Sequence, residues 1–440
     1  MASKSLIRTA QHSTKFANPG KLDTLRVFLN EYQQAVRFYV DHLWDVGTSW
    51  VSNKGDNKVL DISNDKFDIP PFISTTNLYL DLPSLSAKMH KSASGQAIGI
   101  VSSVVARIRR TSFRLSVAIA TGNVSKAAEL QLKLDKLKRA KPDANIRHAN
   151  LDSNTVDFIT SNRDGVEFKQ FDGFLRIVSM SKTLGYIEIP IKFHRHTNNL
   201  KKRGYRRKTT WVVRIDSVCS TWERPVEPIK ASGHKVGADQ GVKTCLTLSD
   251  GQVTGICPHG HTLESIMHKV TRCQRGSKGF ARAQKHRANH INFAVKQLNM
   301  SDINEIGFER VHNIRHGKNT SKLLKAWTYT IIKTAIVRRC DEAGVQFSEQ
   351  SSIYRSQRCS SCGFVHKKSR KGKDFTCTAC GHHLDADLNG AINHEIDLPD
   401  IPFSLMSMKL NISGFYWLKT GMFDVHGEEI TIPQQQNLTI

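Results

Sequence analysis

The sequence is poor in acidic residues and has no long apolar run. Its 440 residues contain 39 Asp and Glu against 64 Lys and Arg, which gives a formal net charge of +25. An excess of this size attracts polyanions, of which nucleic acids are the usual example. The apolar stretches fall short of the ~18 residues that a membrane-spanning helix requires. No basic amphipathic helix stands beside a hydrophobic anchor, so the charge favours a nucleic acid over a membrane surface.

Cysteine usage argues against a disulfide framework. There are nine cysteines, an odd number, and we see no secretory signal. This pattern predicts a reducing compartment. Residues 1–22 are basic and free of acids, which would also suit a transit peptide. We prefer a short strand at Ser5–Ala10 that leads into a folded domain.

The spacing of apolar residues divides the chain into regions. Apolar residues recur every three or four positions in 21–44, 84–115 and 124–139, with a looser proline-containing segment after the first, which predicts a mostly helical module over residues 20–142. Between 156 and 223 the period is two, with turn residues between the runs, and we predict a small β-barrel completed by the N-terminal strand. From residue 234 onward, strands and helices alternate. The predicted fold class is therefore multidomain α+β.

Two C-x-x-C knuckles predict a zinc ribbon. They are separated by fourteen residues, and a glycine follows the second cysteine of each. Each knuckle lets two thiolates grip one cation, and two knuckles complete a tetrahedral shell. Because four thiolates close that shell, the zinc is expected to be structural. The predicted ligands are Cys359, Cys362, Cys377 and Cys380.

Three acidic residues are candidates for a catalytic centre. Asp239 and Glu309 each end a strand-like run, and Asp387 opens a helix after the second knuckle. Carboxylates from distant segments can converge to bind hard cations, and a pair of such cations can hydrolyse a phosphodiester. The alternative for each acid taken alone is a helix cap or a surface position.

Two basic clusters are candidates for phosphate contact, because few acids are interspersed with them. A solvated helix face is the alternative for the second cluster. Tyr205 and Trp211 lie beside the first cluster, where they would either stack on a base or belong to the core, the latter being favoured for Trp211. The predicted nucleic-acid-binding residues are Lys201, Lys202, Arg203, Arg206, Arg207 and Lys208 in the first cluster, and Arg272, Arg275, Lys278 and Arg282 in the second.

The acidic and cysteine motifs together resemble the TnpB family of nucleases, which have a RuvC-like, RNase H-type domain. Eukaryotic and viral Fanzor proteins and miniature type V CRISPR effectors share this layout. The segments that carry the resemblance, in family order, are Gly237–Gly241 with Leu246–Gly251, Gly307–Val311, Tyr354–Gly363 and Asp385–Asn393.

The resemblance implies a domain order for the whole chain. A helical recognition lobe and a small β-barrel would precede an RNase H-like α/β domain with an inserted zinc ribbon. The implied domains are an N-terminal barrel (wedge) strand (1–20), a helical recognition domain (21–142), the β-barrel (143–230), the first part of the nuclease domain (231–355), the zinc ribbon (356–383), the third nuclease motif (384–396) and a C-terminal extension (397–440). For the extension, a β-hairpin and a disordered segment are both open.

The resemblance also implies an activity. The chain would be an RNA-guided DNA endonuclease associated with a transposable element, with sequence choice delegated to guide–target pairing next to a short adjacent motif. Its partners would be a guide RNA and double-stranded target DNA, bound by a monomer in the cytoplasm, or in the nucleus of a eukaryotic host. Its cofactors would be one structural Zn²⁺ and two catalytic Mg²⁺.

By the same resemblance Asp239, Glu309 and Asp387 are the catalytic carboxylates, and Asp387 is preferred over Asp385. The chain departs from the family pattern at Gln240, Arg310 and Gly390 without losing a carboxylate. Three rival functions remain at this stage: a miniature type V CRISPR effector, a catalytically silent RNA-guided repressor, and a transposase.

Overall fold

A computed structural model describes residues 5–52, 82, 85–178, 185–241, 243–311, 323, 329–401, 405 and 408–430. The chain divides into two compact units, which are treated separately below. One unit comprises Ile7–Arg224, and the other comprises Met1–Leu6 together with Pro225–Ile440. Both contain helices and sheets, so the architecture is a mixed α/β multidomain fold.

Three long helices form the first part of the Ile7–Arg224 unit: α1 (Pro19–Ser52), α2 (Ala87–Ala120) and α3 (Val124–Arg139). The Ser86 and Asn123 side chains cap α2 and α3 by accepting backbone N–H bonds, as helix N-termini require. Helices α1 and α2 pack along the apolar stripe that the sequence indicates.

The second part of this unit contains seven strands and one short helix. They are β1 (Ser5–Ser13), β2 (Ala149–Leu151), β3 (Val156–Ile159), β4 (Gly173–Ile177), β5 (Ile187–Ile191), α4 (Arg195–Lys202), β6 (Arg206–Val213) and β7 (Ser217–Pro225). Within the described residues they form two sheets, in the orders β1-β7-β6-β2 and β3-β4-β5.

The predicted β-barrel is therefore replaced, over the described residues, by two separate sheets. A barrel needs an unbroken circuit of strand pairing. Here the sheets meet through side chains instead, as where the Phe158 ring stacks on Trp211 at 5.4 Å between centroids. Trp211 and Tyr205 are only 1% and 3% exposed. Both rings thus belong to the core, and the base-stacking alternative does not apply to them.

The Pro225–Ile440 unit is organised around a mixed sheet. Its elements are β8 (His234–Gln240), β9 (Leu246–Leu248), α5 (Leu263–Arg272), α6 (Lys278–Lys296), β10 (Ile303–Arg310), α7 (Tyr329–Ala343), β11 (Gln346–Ser351), β12 (Phe364–Val365), β13 (Arg370–Lys371), β14 (Asp374–Thr376), β15 (His383–Asp385), α8 (Ala386–Glu395), β16 (Phe415–Leu418) and β17 (Gly421–Phe423).

The main sheet has the order β11-β10-β8-β9. Strand β10 runs parallel to both β8 and β11, while β9 is antiparallel to β8. Successive side chains on a strand point to opposite faces. On β8 and β10 the even-numbered apolar residues, such as Val236 and Phe308, pack in one core with residues of α6 and α7. The odd-numbered residues therefore face the other side, where α8 lies.

The C-terminal residues include a hairpin, β16 and β17, and β16 pairs with β12 of the ribbon. Trp417 on this hairpin is fully buried, and its indole N–H donates to the Pro399 carbonyl at 3.2 Å. In the part of the chain described, no helix has the length and hydropathy to cross a bilayer.

Candidate metal centres

The four ribbon cysteines converge on one point. Their sulfur atoms all lie within 4.8 Å of one another. The Cys362–Cys377 and Cys359–Cys380 sulfurs are 3.6 and 3.8 Å apart. Tetrahedral Zn²⁺ with bonds of about 2.3 Å places its thiolates about 3.8 Å apart, so the spacing fits a zinc ion. These four side chains would hold the metal.

The two knuckles have the same backbone hydrogen bonds. Gly363 N–H donates to the Cys359 carbonyl and Gly381 N–H donates to the Cys377 carbonyl, each at 3.0 Å. Both glycines have positive φ, at 80° and 74°. This left-handed conformation is what glycine adopts without steric cost. The ribbon geometry is thus fixed locally, by turns within each knuckle.

Strand register brings Asp239 and Glu309 together. Phe308 on β10 is level with Ala238 on β8 in a parallel pair, so the next residue on each strand points to the α8 side of the sheet. Ligand atoms of Asp239, Glu309 and His394 all lie within 4.8 Å of one another. The structure therefore pairs two of the predicted carboxylates and adds a histidine that the sequence prediction missed.

Two glycines let α8 sit directly on the sheet beside these acids. A Cβ on Gly237 would lie 1.8 Å from the Ala391 carbonyl oxygen, and one on Gly307 would lie 2.2 Å from the His394 carbonyl oxygen. Either distance is far inside van der Waals contact, so both positions require glycine. Gly390 of α8 faces the Asp239 carboxylate, since its Cβ would be 3.3 Å from the Asp239 Cγ. The family often has alanine at this position, and glycine at 390 leaves the space beside the Asp239 carboxylate open.

The acid pair carries the electrostatic signature of a cation site. Burial, reinforced by the charge of Asp387, raises the pKa of Asp239 to about 7. Burial and the neighbouring Asp239 likewise raise the pKa of Glu309 well above its usual range. Like charges in a desolvated site resist ionisation, and a divalent cation would relieve both effects. Asp239 and Glu309 are therefore suited to hold one.

Asp387 lies in the first turn of α8, where it is 7% exposed. Its carboxylate forms an ion pair with Lys373, and Arg370 Nη2 lies 3.3 Å from its Oδ1. Asp385 has a different role, because its side chain accepts the backbone N–H groups of Asp387 and Leu388 at 2.9 and 3.1 Å. Asp385 is thus the N-cap of α8, and Asp387 is the acid whose charge acts more strongly on Asp239.

Two asparagines on α8 attach this helix to the ribbon. Asn389 Nδ2 donates to the Arg358 carbonyl at 2.8 Å, and its Oδ1 accepts the Ser360 N–H at 3.0 Å. Asn393 Nδ2 donates to the same Arg358 carbonyl at 2.8 Å, while its Oδ1 accepts from Arg358 Nη1 at 2.5 Å. Both asparagines are fully buried. Residues four apart on a helix lie on the same face, so the spacing of these two asparagines is the sequence feature that could have identified them as a pair.

Buried Arg355 closes the other end of α8. Its guanidinium donates to the carbonyls of Asn393 and Ile396, the latter at 2.9 Å. A cation at a helix C-terminus satisfies orphan carbonyls and the helix dipole. Arg355 also stacks over Trp417, with 5.3 Å from the guanidinium carbon to the ring centroid. The C-terminal hairpin is thereby part of the scaffold that positions α8.

Gln240 connects the first two acidic motifs. Its side-chain amide donates to the Glu309 backbone carbonyl at 3.3 Å. Gln240, which differs from the apolar residue usual in the family, therefore connects β8 to β10 by a hydrogen bond next to the two acids.

The predicted basic residues of the first cluster make several contacts inside their own unit. Arg207 lies over the Phe158 ring at 4.4 Å, and burial lowers its pKa. Lys208 Nζ is 2.7 Å from Glu223 Oε2, and Lys201 lies 4.4 Å over the Phe193 ring. The remaining members of this cluster, Lys202, Arg203 and Arg206, are exposed.

The second basic cluster spans two helices. Helix α5 ends at Arg272 and α6 begins at Lys278, with a turn between them. The four residues predicted to bind nucleic acid here are all exposed: Arg272, Arg275, Lys278 and Arg282. Arg287, further along α6, is 5% exposed and belongs to the interior.

Comparison with known proteins gives several partial matches to this chain. A family model described as the TNB domain of Cas12f1-like proteins matches residues 329–394. The chain is 30% identical over 157 residues to the CRISPR-associated endodeoxyribonuclease Cas12f1 of Sulfoacidibacillus thermotolerans, covering 35% of each protein. It is 25% identical over 231 residues to the putative RNA-guided DNA endonuclease InsQ of Escherichia coli K12, covering 42% of this chain and 57% of that one.

Among solved structures, a Cas12f1–sgRNA–target DNA complex aligns with 89% of the chain and 99% of its own Cas12f1 chain, at a TM-score of 0.42 and 12% identity. The sequence alignments span about one third and just over half of the curated relatives' own length. The family-model match contains Asp387 and the four ribbon cysteines. Over these segments the chain is thus similar to Cas12f1 and to InsQ.

Proposed function

We propose that the chain is an RNA-guided DNA endonuclease that cuts its target in a single RuvC-like site. The observation that carries this proposal is the pairing of Asp239 and Glu309 on adjacent parallel strands, beneath helix α8, which carries Asp387 in its first turn. The strand order β11-β10-β8-β9, with a further antiparallel bridge from Thr247 to Val253, supports an RNase H-like assignment. The naming of Cas12f1 and InsQ as endonucleases supports the activity.

Each carboxylate has a distinct task in this proposal. Asp239 and Glu309 hold a divalent cation from the sheet, and Asp387 completes the site from α8. Bound Mg²⁺ would supply an activated water and stabilise the leaving 3′ oxygen. Arg370 and Lys373 now neutralise Asp387. Because both cations lie at the edge of the acid site, they would also attract the phosphate to be cut.

In this proposal the ribbon positions helix α8 and takes no part in the chemistry. Its four thiolates close the zinc shell, which leaves no open position for substrate. The hydrogen bonds from Arg358 and Ser360 to the α8 asparagines transmit the ribbon's position to the helix that carries Asp387. Zinc would thereby determine where the third carboxylate lies.

Nucleic-acid binding is assigned to the exposed basic side chains. Arg272, Arg275, Lys278 and Arg282 project from the α5–α6 region of the nuclease unit, and Lys202, Arg203 and Arg206 project from the other unit. These side chains would hold the guide–target heteroduplex by its phosphates. Sequence choice would come from base pairing and from a short motif beside the target. In a TnpB-like system that guide would be encoded beside a transposable element.

The decisive experiment compares guided cleavage by the wild type and by Asp239→Ala. Protein is expressed with its flanking DNA, the copurifying RNA is sequenced, and a matching DNA target is offered with Mg²⁺. We expect one defined RNA and cleavage by the wild type only. Equal cleavage by both proteins would remove Asp239 from the mechanism, and binding without cleavage by either would establish an RNA-guided repressor instead.

The same purified protein and its copurifying RNA distinguish two further alternatives, a transposase and a CRISPR effector. A transposase would join DNA ends without any RNA, so joined products from RNA-free protein would replace the proposal. A CRISPR effector would carry RNA transcribed from a repeat array rather than from the end of a mobile element.

A further inference from the structure

His394 belongs to the acid site by position. One of its ring nitrogens lies within 4.8 Å of a carboxylate oxygen of both Asp239 and Glu309. The side chain is only 2% exposed. It lies on α8 two turns after Asp387, so the same helix supplies both residues.

The histidine has an unused nitrogen. Its Nδ1 is buried and has no hydrogen-bond partner among the described residues. Buried polar atoms in proteins are nearly always hydrogen-bonded or coordinated, so an imidazole with a buried, unbonded nitrogen is suited to take part in a metal site. A cation between the ring and the two carboxylates would lie within reach of all three side chains.

Close contact between the His394 backbone and the sheet fixes the position of the imidazole ring. Both sheet glycines lie under this residue, since a Cβ on Gly307 would be 2.2 Å from the His394 oxygen and one on Gly237 would be 2.7 Å from its carbonyl carbon. The His394 backbone is therefore pressed against β8 and β10, two residues before the acids on each strand. This contact directs the imidazole along the same face as Asp239 and Glu309.

We infer that His394 is a third ligand of the cation held by Asp239 and Glu309, which gives this site a mixed nitrogen and oxygen donor set. Mg²⁺ prefers oxygen ligands and retains water, whereas imidazole nitrogen favours transition metals. The site therefore binds Mn²⁺ more tightly than Mg²⁺. This inference rests on the proposed function, because it names a further ligand in the same centre.

The test uses the purified full-length protein and measures Mn²⁺ binding without any cleavage assay. Electron spin-echo spectroscopy of bound Mn²⁺ detects a directly coordinated ¹⁴N nucleus. We expect that coupling in the wild type and its loss in His394→Leu. The Mn²⁺ dissociation constant of the variant should rise by at least about tenfold, the loss that even an outer-shell partner can produce, with a smaller change for Mg²⁺.

Two variants control for surface histidines and for folding. His268→Leu makes the same substitution at an exposed position of α5 and should keep the ¹⁴N signal. His394→Gln keeps a polar group of similar length, and its zinc content and circular dichroism should match the wild type while the ¹⁴N coupling disappears.

The outcomes separate this inference from the proposed function. Mn²⁺ bound by the wild type without ¹⁴N coupling, but lost in Glu309→Gln, would overturn the role of His394 and leave the carboxylate centre intact. A ¹⁴N signal that persists in His394→Leu would assign it to another histidine and overturn the inference. Failure of the wild type to bind any divalent cation at this centre would overturn both.

Discussion

The ribbon cysteines lie between residues 359 and 380, whereas the three carboxylates are spread from 239 to 387. In the ribbon, ligand positions are set by two knuckles with matching turns. In the acid centre they are set by strand register, by two glycines and by the placement of α8. The first centre is local and the second depends on tertiary packing. Because α8 is attached to the ribbon through Asn389 and Asn393, the acid centre should be sensitive to damage in the ribbon.

The largest effect is expected from breaking the ribbon with Cys377→Ser. Structural zinc in small domains contributes roughly 10–16 kcal/mol of apparent binding free energy, so loss of one thiolate should release the metal and unfold the segment. Guided cleavage should fall with the zinc content, measured by mass spectrometry. Cys257→Ser, which alters a loop cysteine outside the ribbon, should retain both. Full cleavage by a zinc-free protein would show that the two centres are independent.

A smaller effect is expected when the acid centre is broken and the ribbon is left alone. Gly307→Ala would force its methyl group into the His394 carbonyl and displace α8 from the sheet. Overpacking of this kind costs about 1–3 kcal/mol, and cleavage should be largely lost while zinc is retained. Gly99→Ala, in an open position on α2, should instead stabilise by about 0.5–1 kcal/mol. Denaturant unfolding measures both, and equal stability of the two variants would contradict the close packing of α8.

The connection between the centres is tested by Asn393→Ala. This change removes bonds to Arg355 and Arg358 and leaves buried polar groups without partners, at a cost of roughly 1–3 kcal/mol. We expect zinc to stay bound and cleavage to fall. Asn292→Ala is the matched control, because among the described residues that side chain donates to a carbonyl of its own helix α6. Unchanged cleavage in the Asn393 variant would mean that α8 is positioned by the sheet alone.

This comparison explains what the sequence could predict. The cysteine pattern predicted the cluster of four thiols because the required geometry is contained in each knuckle. The helical stripes and the strands around Asp239 and Glu309 followed from periodicity. His394 could not be predicted, because its approach to the acids depends on which strands face α8. The same limit applies to the barrel, since periodicity predicts strands but does not determine whether two sheets close through hydrogen bonds or meet through Phe158 and Trp211.

The pH dependence of stability should also distinguish the acid centre from the ribbon. The folded-state pKa of Asp239 is raised to about 7, so the metal-free protein loses stability as pH rises from the unfolded-state pKa of this carboxyl to that value. A cation binds the ionised carboxylate, so its stabilisation of the folded state grows as pH rises and opposes this loss of stability. The increase in melting temperature on adding Mn²⁺ should therefore be larger near pH 8 than near pH 5.5. Asp239→Asn should abolish the difference and exposed Asp302→Asn should keep it; a pH-independent increase in the wild type would contradict the shifted carboxyl.

The smallest effect is expected at Asp385, one of two acids at the junction of the ribbon and α8. Asp385 accepts two backbone N–H bonds as the N-cap, a function that asparagine also performs. Asp385→Asn should therefore keep both stability and cleavage, whereas Asp385→Ala should cost about 1 kcal/mol with a modest loss of cleavage. Asp387→Asn should abolish cleavage without a comparable loss of stability, because its carboxylate faces two cations and the acid pair rather than the helix backbone. If Asp385→Asn eliminated cleavage and Asp387→Asn preserved it, the third carboxylate would be Asp385, and the cap would be the functional acid.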